Sequence, residues 1–248
     1  MSSEPSRTSD TQAEALHAQQ VILFAVATLA ELRESNTESH VRRVQQYVRA
    51  LAISLQGRPA YAEVLTPAYI DTLCQTTPMY DMGTMGVPDR ILLKPGRLTP
   101  DEITIMRTHT TLGHDAIVRA EKTLGRTTPS LQMAKEITLS HQEKWDGSGY
   151  PQGLVGLRIP LSARIVALAD VYDALISSKV YKEGMPHDKA VAVIVSERGL
   201  HFDPEVVDAF VSIQTEFQAI AQRFADTEAD MQQKIEYMAN AIAEVTEL

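Results

Sequence analysis

His141-Gln142-Glu143-Lys144-Trp145-Asp146-Gly147-Ser148-Gly149-Tyr150-Pro151 is the stretch on which the reading of this 248-residue chain turns. A histidine closes a run with helical spacing, and an Asp-Gly-x-Gly-Tyr-Pro loop follows at once. Gly147, Gly149 and Pro151 are the residues of a rigid turn. The loop they shape presents Tyr150, whose ring can stack on a base and whose hydroxyl can donate to a phosphate. Turn formation alone and ligand or partner contact both remain open for it. Trp145, the only tryptophan of the chain, reads either as a core anchor or as an aromatic beside a ligand.

The surroundings of this loop are helical. A helix is predicted over about 129–141, ending on His141, and an apolar run over 161–177 carries Ile165, Leu168, Ala169, Tyr172 and Leu175 at helical spacing. That run sets Asp170 among buried neighbours. Further upstream, a helix over about 38–55 puts His40, Val44, Val48, Leu51 and Leu55 on one face, and another over 66–79 delivers Tyr80-Asp81. Glycines and prolines between 83 and 96 read as a structured loop. Thr99-Pro100-Asp101-Glu102 is a helix start with a capping box, and the helix it opens is expected to carry His109. Asp203-Pro204-Glu205 repeats that logic for a helix through about Ile220. No strand alternation is visible, so the predicted class is all-α.

The ends are read separately. Residues 1–10 are a polar leader expected to be disordered. Residues 11–35 form an amphipathic helix with Leu16, Leu23, Phe24, Leu29 and Leu32. Residues 223–248 form an acidic helical tail with Met231, Ile235, Met238 and Ile242 on one stripe, suited to packing or to a homodimer face.

With 44% apolar residues and a formal net charge of −9, the chain can bury a sizeable core. It has no basic surplus for nucleic acid or for anionic membrane. Cys74 is the single cysteine, so no intrachain disulfide is expected. No signal peptide is visible, the apolar runs are too short to span a bilayer, and a cytoplasmic location follows as the expectation.

Five residues carry the chemistry: His40, Asp81, His109, His141 and Asp170. Any one of them, alone, is more often a hydrogen-bonded structural residue. Buried together, imidazoles and carboxylates become favourable around a divalent cation. The mixed nitrogen and oxygen set suits Fe, Mn, Zn or Ni better than Ca or Mg. His114, His187 and His201 read as structural or surface residues.

In order and spacing, these residues resemble the HD-GYP domain family, metal-dependent phosphodiesterases that open the bacterial messenger cyclic di-GMP. The resemblance runs over roughly residues 37–210. It includes His40-Val41-Arg42-Arg43-Val44, Asp81-Met82-Gly83, Gly86-Val87-Pro88-Asp89 with Lys94-Pro95-Gly96, His109, the Asp146–Pro151 loop, the run at 169–175 and His201-Phe202-Asp203-Pro204. It implies an HD-superfamily helical bundle over 36–222 with helical extensions at both ends, and two metals, sometimes three, acting on phosphorus through an activated water. Asp81 would be the central catalytic residue, shared by two pockets: His40, position 80, Asp81 and Asp170 for one, and Asp81, His109, His141 and position 142 for the other. Asp146, Gly147, Gly149, Tyr150, Pro151, Lys179 and Lys182 fall where the family contacts substrate or a diguanylate cyclase partner.

Four positions depart from the pattern. Tyr80 and Gln142 replace histidine ligands, one in each pocket, Thr84 replaces a lysine facing the phosphate, and Asn36 replaces the glutamate of three-metal members. A phenol, with an ordinary pKa of about 10, must lose its proton to ligate well, and an amide oxygen is a weak donor. Loss even of an outer partner of a metal ligand costs about 10–100-fold. The expectation is therefore a degenerate HD-GYP domain, impaired in hydrolysis, that senses nucleotide or docks a protein. The alternative is a weak or metal-selective cyclic di-GMP phosphodiesterase using the surviving ligands. The third is a structural or dimerisation partner that binds neither nucleotide nor metal.

Overall fold

Thr or Asp followed by proline marks the helix starts. In the computed structural model, which describes residues 14, 17–18, 21–30, 33, 39–94, 96–177 and 184–246, these pairs are built as caps. Thr66 accepts the Tyr69 N–H at the head of α3 (Pro67–Thr76). Thr99 and Glu102 form the reciprocal capping box of α5 (Pro100–Arg107). Thr128 caps α7 (Pro129–Ser140) and Asp203 caps α10 (Pro204–Ser212). Each such cap satisfies an amide that the first helical turn leaves open, at about 1 kcal/mol.

The remaining helices are α1 (21–30), α2 (Ser39–Gln56), α4 (Asp89–Leu92), α6 (His109–Leu124), α8 (Leu161–Ile176), α9 (His187–Ser196), α11 (Gln214–Arg223) and α12 (Glu228–Thr246). Among the described residues the sole β feature is an isolated bridge between Arg198 and Phe202, so the molecule is all-α, as its sequence periodicity requires.

Helix α2 is the axis of the bundle. It packs against α3, α8, α10 and α11, and Val44, Tyr47, Val48, Leu51 and Leu55 are fully buried along it. Around it Tyr47 stacks on Phe217 at 4.5 Å, and Tyr172 and Phe210 meet these rings edge-on or tilted. Burying such side chains contributes about 1.5–3 kcal/mol each, which is why this face of α2 decides the arrangement of its neighbours.

Several boundaries differ from the sequence reading. His109 does not lie within the helix opened by Thr99. That helix ends at Arg107, Thr108 turns back so that its N–H and hydroxyl both bond the Ile105 carbonyl, and His109 opens α6. The break separates α5, which buries no side chain, from α6, which buries His109, Thr110 and Ile117. The helix from Asp203 likewise stops at Ser212, and Gln214 starts a new one. The step at Ile213 lets Phe210 and Phe217 both reach the aromatic cluster. Within the 83–96 loop lie a 3-10 turn, Met82–Gly86, and the short α4. Helix α9 has no counterpart in the sequence reading; Ala190 and Ile194, four residues apart, bury one side of it. In the tail, Ile235 is 39% exposed, while the side chains of Met238 and Ile242 lie outside the described residues, as do Leu16, Leu32 and Asn36.

Candidate metal centre

Three elements bring the donors together. Helix α3 runs into the 3-10 turn Thr77–Met79 and so delivers Tyr80 and Asp81. The next turn, Met82–Gly86, lies directly on α6. A Cβ on Gly83 would stand 2.6 Å from the Gly113 amide nitrogen and closer still to the His109 carbonyl. Only glycine lets the strand of chain holding Asp81 come this near the helix that opens with His109. His141 is the C-cap of α7, and α7 packs on α6.

The outcome is a compact donor set. Asp81 Oδ1 lies 3.0 Å from His141 Nε2 and 3.5 Å from His109 Nε2, and the two Nε2 atoms are 3.4 Å apart. Both histidines are oriented from behind. His109 Nδ1 donates to the Met106 carbonyl at 2.8 Å, and His141 Nδ1 donates to the Ile137 and Thr138 carbonyls at 3.0 and 3.2 Å. A ring whose Nδ1 carries the proton turns its Nε2 lone pair inward. Two lone pairs and a carboxylate oxygen therefore face one another, and Asp81 Oδ1 is buried without a hydrogen-bond partner.

Such a cluster of acceptors needs a cation or an added proton at its centre. Burial pushes the His141 imidazole down, but Asp81 outweighs burial and holds it above its ordinary value. Burial likewise pushes Asp81 up, and the histidines more than offset it, His141 first. His109 is kept low, chiefly by burial. A proton on His141 or a divalent metal can fill the same role, and metal binding would displace that proton. Two imidazoles and one carboxylate with the remaining positions open is a donor set suited to iron and its neighbours, so Asp81, His109 and His141 fit a metal.

The other expected pocket is arranged differently. Tyr80 is 2% exposed and points into it. Its hydroxyl lies 2.6 Å from His40 Nε2 and donates to Asp170 Oδ1 at 2.8 Å. His40 and Asp170, themselves 3.7 Å apart, are joined by the phenol. Behind them Asp173, which the sequence reading did not single out, meets His40 Nδ1 at 2.7 Å and takes both forks of Arg43 at 2.7 and 3.0 Å. Burial opposes ionisation of Asp173, but His40 and Arg43 outweigh it and bring the carboxyl to about 2. Arg43 continues outward to Asp226 at 3.1 Å, beside a cavity of about 510 Å³ that Tyr172, Ser177 and His187 also line. Asp170 is raised, by burial first and then by Asp81.

The signature loop is tied down by contacts that the sequence reading did not anticipate. Glu143 is buried, and its carboxylate accepts the amides of Gln152 and Leu154 at 2.7 and 2.9 Å. Trp145 and Asp146 donate their amides to the His201 and Leu200 carbonyls. A Cβ on Gly149 would stand 2.2 Å from the Lys144 nitrogen, and Gly147 has a left-handed φ of +85°. Asp146 is exposed, and its carboxylate holds the amide and hydroxyl of Ser148, which makes it a turn residue here. Gln142 contributes its carbonyl to the Tyr150 amide at 3.2 Å.

Tyr150 is delivered to the donor set. Its ring is edge-to-face with His109, centroids 6.1 Å apart, and Arg107 lies 4.8 Å from its centroid. Burial foremost, then Asp81, raises its phenol to about 12, so it stays a neutral hydrogen-bond donor. Thr84 is buried and donates to the Asp81 carbonyl at 2.9 Å, a brace for the turn with no charge to offer a phosphate. Pro151 is exposed beside Tyr150; Lys179 and Lys182 lie outside the described residues. Cys74 is buried, and burial pushes its thiol up to about 11, so it is no nucleophile.

Comparison with known proteins shows the family to which the chain belongs. The sequence profile of the HD domain family matches residues 25–206. A probable cyclic di-GMP phosphodiesterase of Vibrio cholerae is 54% identical over 86% of this chain and 48% of its own length. A cyclic di-GMP phosphodiesterase of Thermotoga maritima is 39% identical over 83% of this chain and 52% of its own. The chain thus spans about half the length of these relatives. A solved structure, Bd1817, an HDG"Y"P protein from Bdellovibrio bacteriovorus, superposes with a TM-score of 0.50 at 19% identity, over 73% of this chain and 54% of that one. At that identity it speaks for the fold alone. No described helix is long and apolar enough to cross a membrane.

Proposed function

Since this chain belongs to the HD domain family, in its HD-GYP form, we propose that it binds a cyclic dinucleotide, foremost cyclic di-GMP, beside a single divalent transition metal and hydrolyses it poorly. The observation that carries this reading is the Tyr80 hydroxyl, held between His40 Nε2 and Asp170 Oδ1. A cation at that pocket would have to break both of these bonds, while the pocket of Asp81, His109 and His141 keeps its inward-facing acceptors. When bound there, a metal supplies Lewis acidity toward a phosphoryl oxygen. Asp81 would bring the negative charge that offsets the cation's, the backbone carbonyls behind His109 and His141 orient the rings and keep their Nε2 atoms available, and Tyr150 offers a ring and a neutral hydroxyl to the nucleotide. The domain then acts as a sensor or docking module in a cytoplasmic signalling pathway.

A second reading, a metal-selective phosphodiesterase that turns over on the surviving ligands, is favoured by the donor set of Asp81, His109 and His141 and by the names of the relatives. One experiment separates them. Protein purified without chelator and reloaded with manganese or iron is analysed for metal, for binding of cyclic di-GMP and for turnover. We expect about one metal per chain, measurable binding, and turnover about 100-fold or more below that of a Tyr80→His, Gln142→His, Thr84→Lys variant. Two metals and turnover equal to the triple variant would establish the enzyme instead. Absence of both metal and nucleotide binding would remove both readings.

A further inference from the structure

A cyclic dinucleotide brings two phosphodiesters to a site whose ionised groups near Tyr150 are largely acidic, and Thr84 offers no cation. Arg107 supplies one. It is the last residue of α5, exposed, with its guanidinium 4.8 Å from the centroid of the Tyr150 ring. That ring meets His109 edge-to-face, and His109 Nε2 stands 3.5 Å from Asp81 Oδ1. Arg107, Tyr150, His109 and Asp81 form a continuous line of contacts from solvent to the donor set.

Among the described residues no carboxylate lies within ion-pair distance of Arg107, whereas Arg49, Arg58 and Arg198 are paired with Asp71, Glu205 and Asp208. Other exposed arginines also lack such a partner; what sets Arg107 apart, among the described residues, is that its guanidinium lies over a ring that itself meets His109. Stacking on an aromatic face fixes the plane of a guanidinium and leaves its edge of N–H donors directed outward, in the fork that matches two phosphate oxygens.

We propose that Arg107 is a phosphate-binding residue of this site, holding a phosphodiester of the cyclic dinucleotide through its guanidinium edge while Tyr150 fixes its orientation. The inference rests on the nucleotide-binding reading above. It is tested by calorimetric titration of the metal-replete chain with cyclic di-GMP, using the wild type, Arg107→Ala, Arg107→Lys and, as a control for bulk charge, the exposed Arg126→Ala. Arg107→Ala is expected to weaken binding about 10-fold or more, with metal content and Tm unchanged. Arg107→Lys should fall between the two because it keeps the charge and loses the fork. Affinity of Arg107→Ala within about twofold of wild type, or an equal loss in Arg126→Ala, would overturn the assignment while leaving the functional reading in place. A wild type that binds no cyclic di-GMP would overturn both.

Discussion

Tyr80 has one proton and two acceptor-bearing neighbours, and that count governs its pocket. Donation to Asp170 requires His40 to complete the other contact through an Nε2–H, which directs a donor into the place where a metal would need a lone pair. Asp173, held ionised beside Arg43, accepts from His40 Nδ1–H, so an Nε2–H as well makes His40 an imidazolium with no lone pair left for a metal. In Tyr80→Phe the His40 Nε2 and Asp170 Oδ1 lose their bridge in a buried setting, and unmade buried bonds of this kind cost about 1–3 kcal/mol. We expect Tyr80→Phe to unfold at lower temperature with no gain of metal, and Tyr80→His to raise the metal content above one per chain. Calorimetric Tm and elemental analysis on the same preparations check both. A gain of metal in Tyr80→Phe would mean that the phenol merely obstructs the pocket and that its hydrogen bonds do not matter.

At the scale of elements, the donor set depends on how closely the turn 82–86 sits on α6. Gly83 lies against the His109 carbonyl and the Gly113 amide, and Gly113 in turn lies against the Thr138 methyl of α7. A turn, a helix start and a helix end, each holding one donor, thereby meet over two glycines. Gly83→Ala puts a methyl where backbone atoms already stand, so the turn must lift and carry Asp81 away from both histidines. The variant should lose metal binding while retaining helical circular dichroism, with a stability loss of about 1–3 kcal/mol from overpacking. Unaltered metal affinity would show that the contact is slack. The same packing explains what sequence could reveal. His141 and Asp81 were legible because they stand beside turn residues with their own pattern. Glu143 and Asp173 were not, since a carboxylate inside a helix or loop gives no local sign of a distant amide or guanidinium. The break at Thr108 was equally hidden, because threonine there satisfies local helical periodicity and only the differing burial of α5 and α6 forces the bend.

For the molecule as a whole, the all-α class and a helix over about 38–55 were readable from spacing alone, since Val44, Val48, Leu51 and Leu55 share a face that must be covered; that this helix is the axis of the bundle was not. What remained invisible were long-range couplings between elements, and one of them makes a prediction about pH. His201 read as structural or surface. It is stacked on Phe202 at 4.3 Å, and its carbonyl anchors Trp145 beside the signature loop. Burial, then Lys144, drives its imidazole down to about 4, against a smaller opposing pull from Asp146. The unfolded chain would protonate it near pH 6.5. Above that value both states hold the ring neutral and its contribution to stability is complete. As pH falls from about 6.5 to about 4 the unfolded state takes up a proton that the folded state refuses, and stability is lost over that window. A depression of this size corresponds to at most about 3.5 kcal/mol, and less where water reaches the ring. His201→Phe keeps a flat ring on Phe202 and removes the titration. Its denaturant midpoint should therefore fall less than that of the wild type between pH 6.5 and 4, with the two curves parallel above pH 7. Parallel curves throughout would place the acid sensitivity elsewhere, and the paired carboxylate Asp173 is excluded as its source in this window because it titrates near 2.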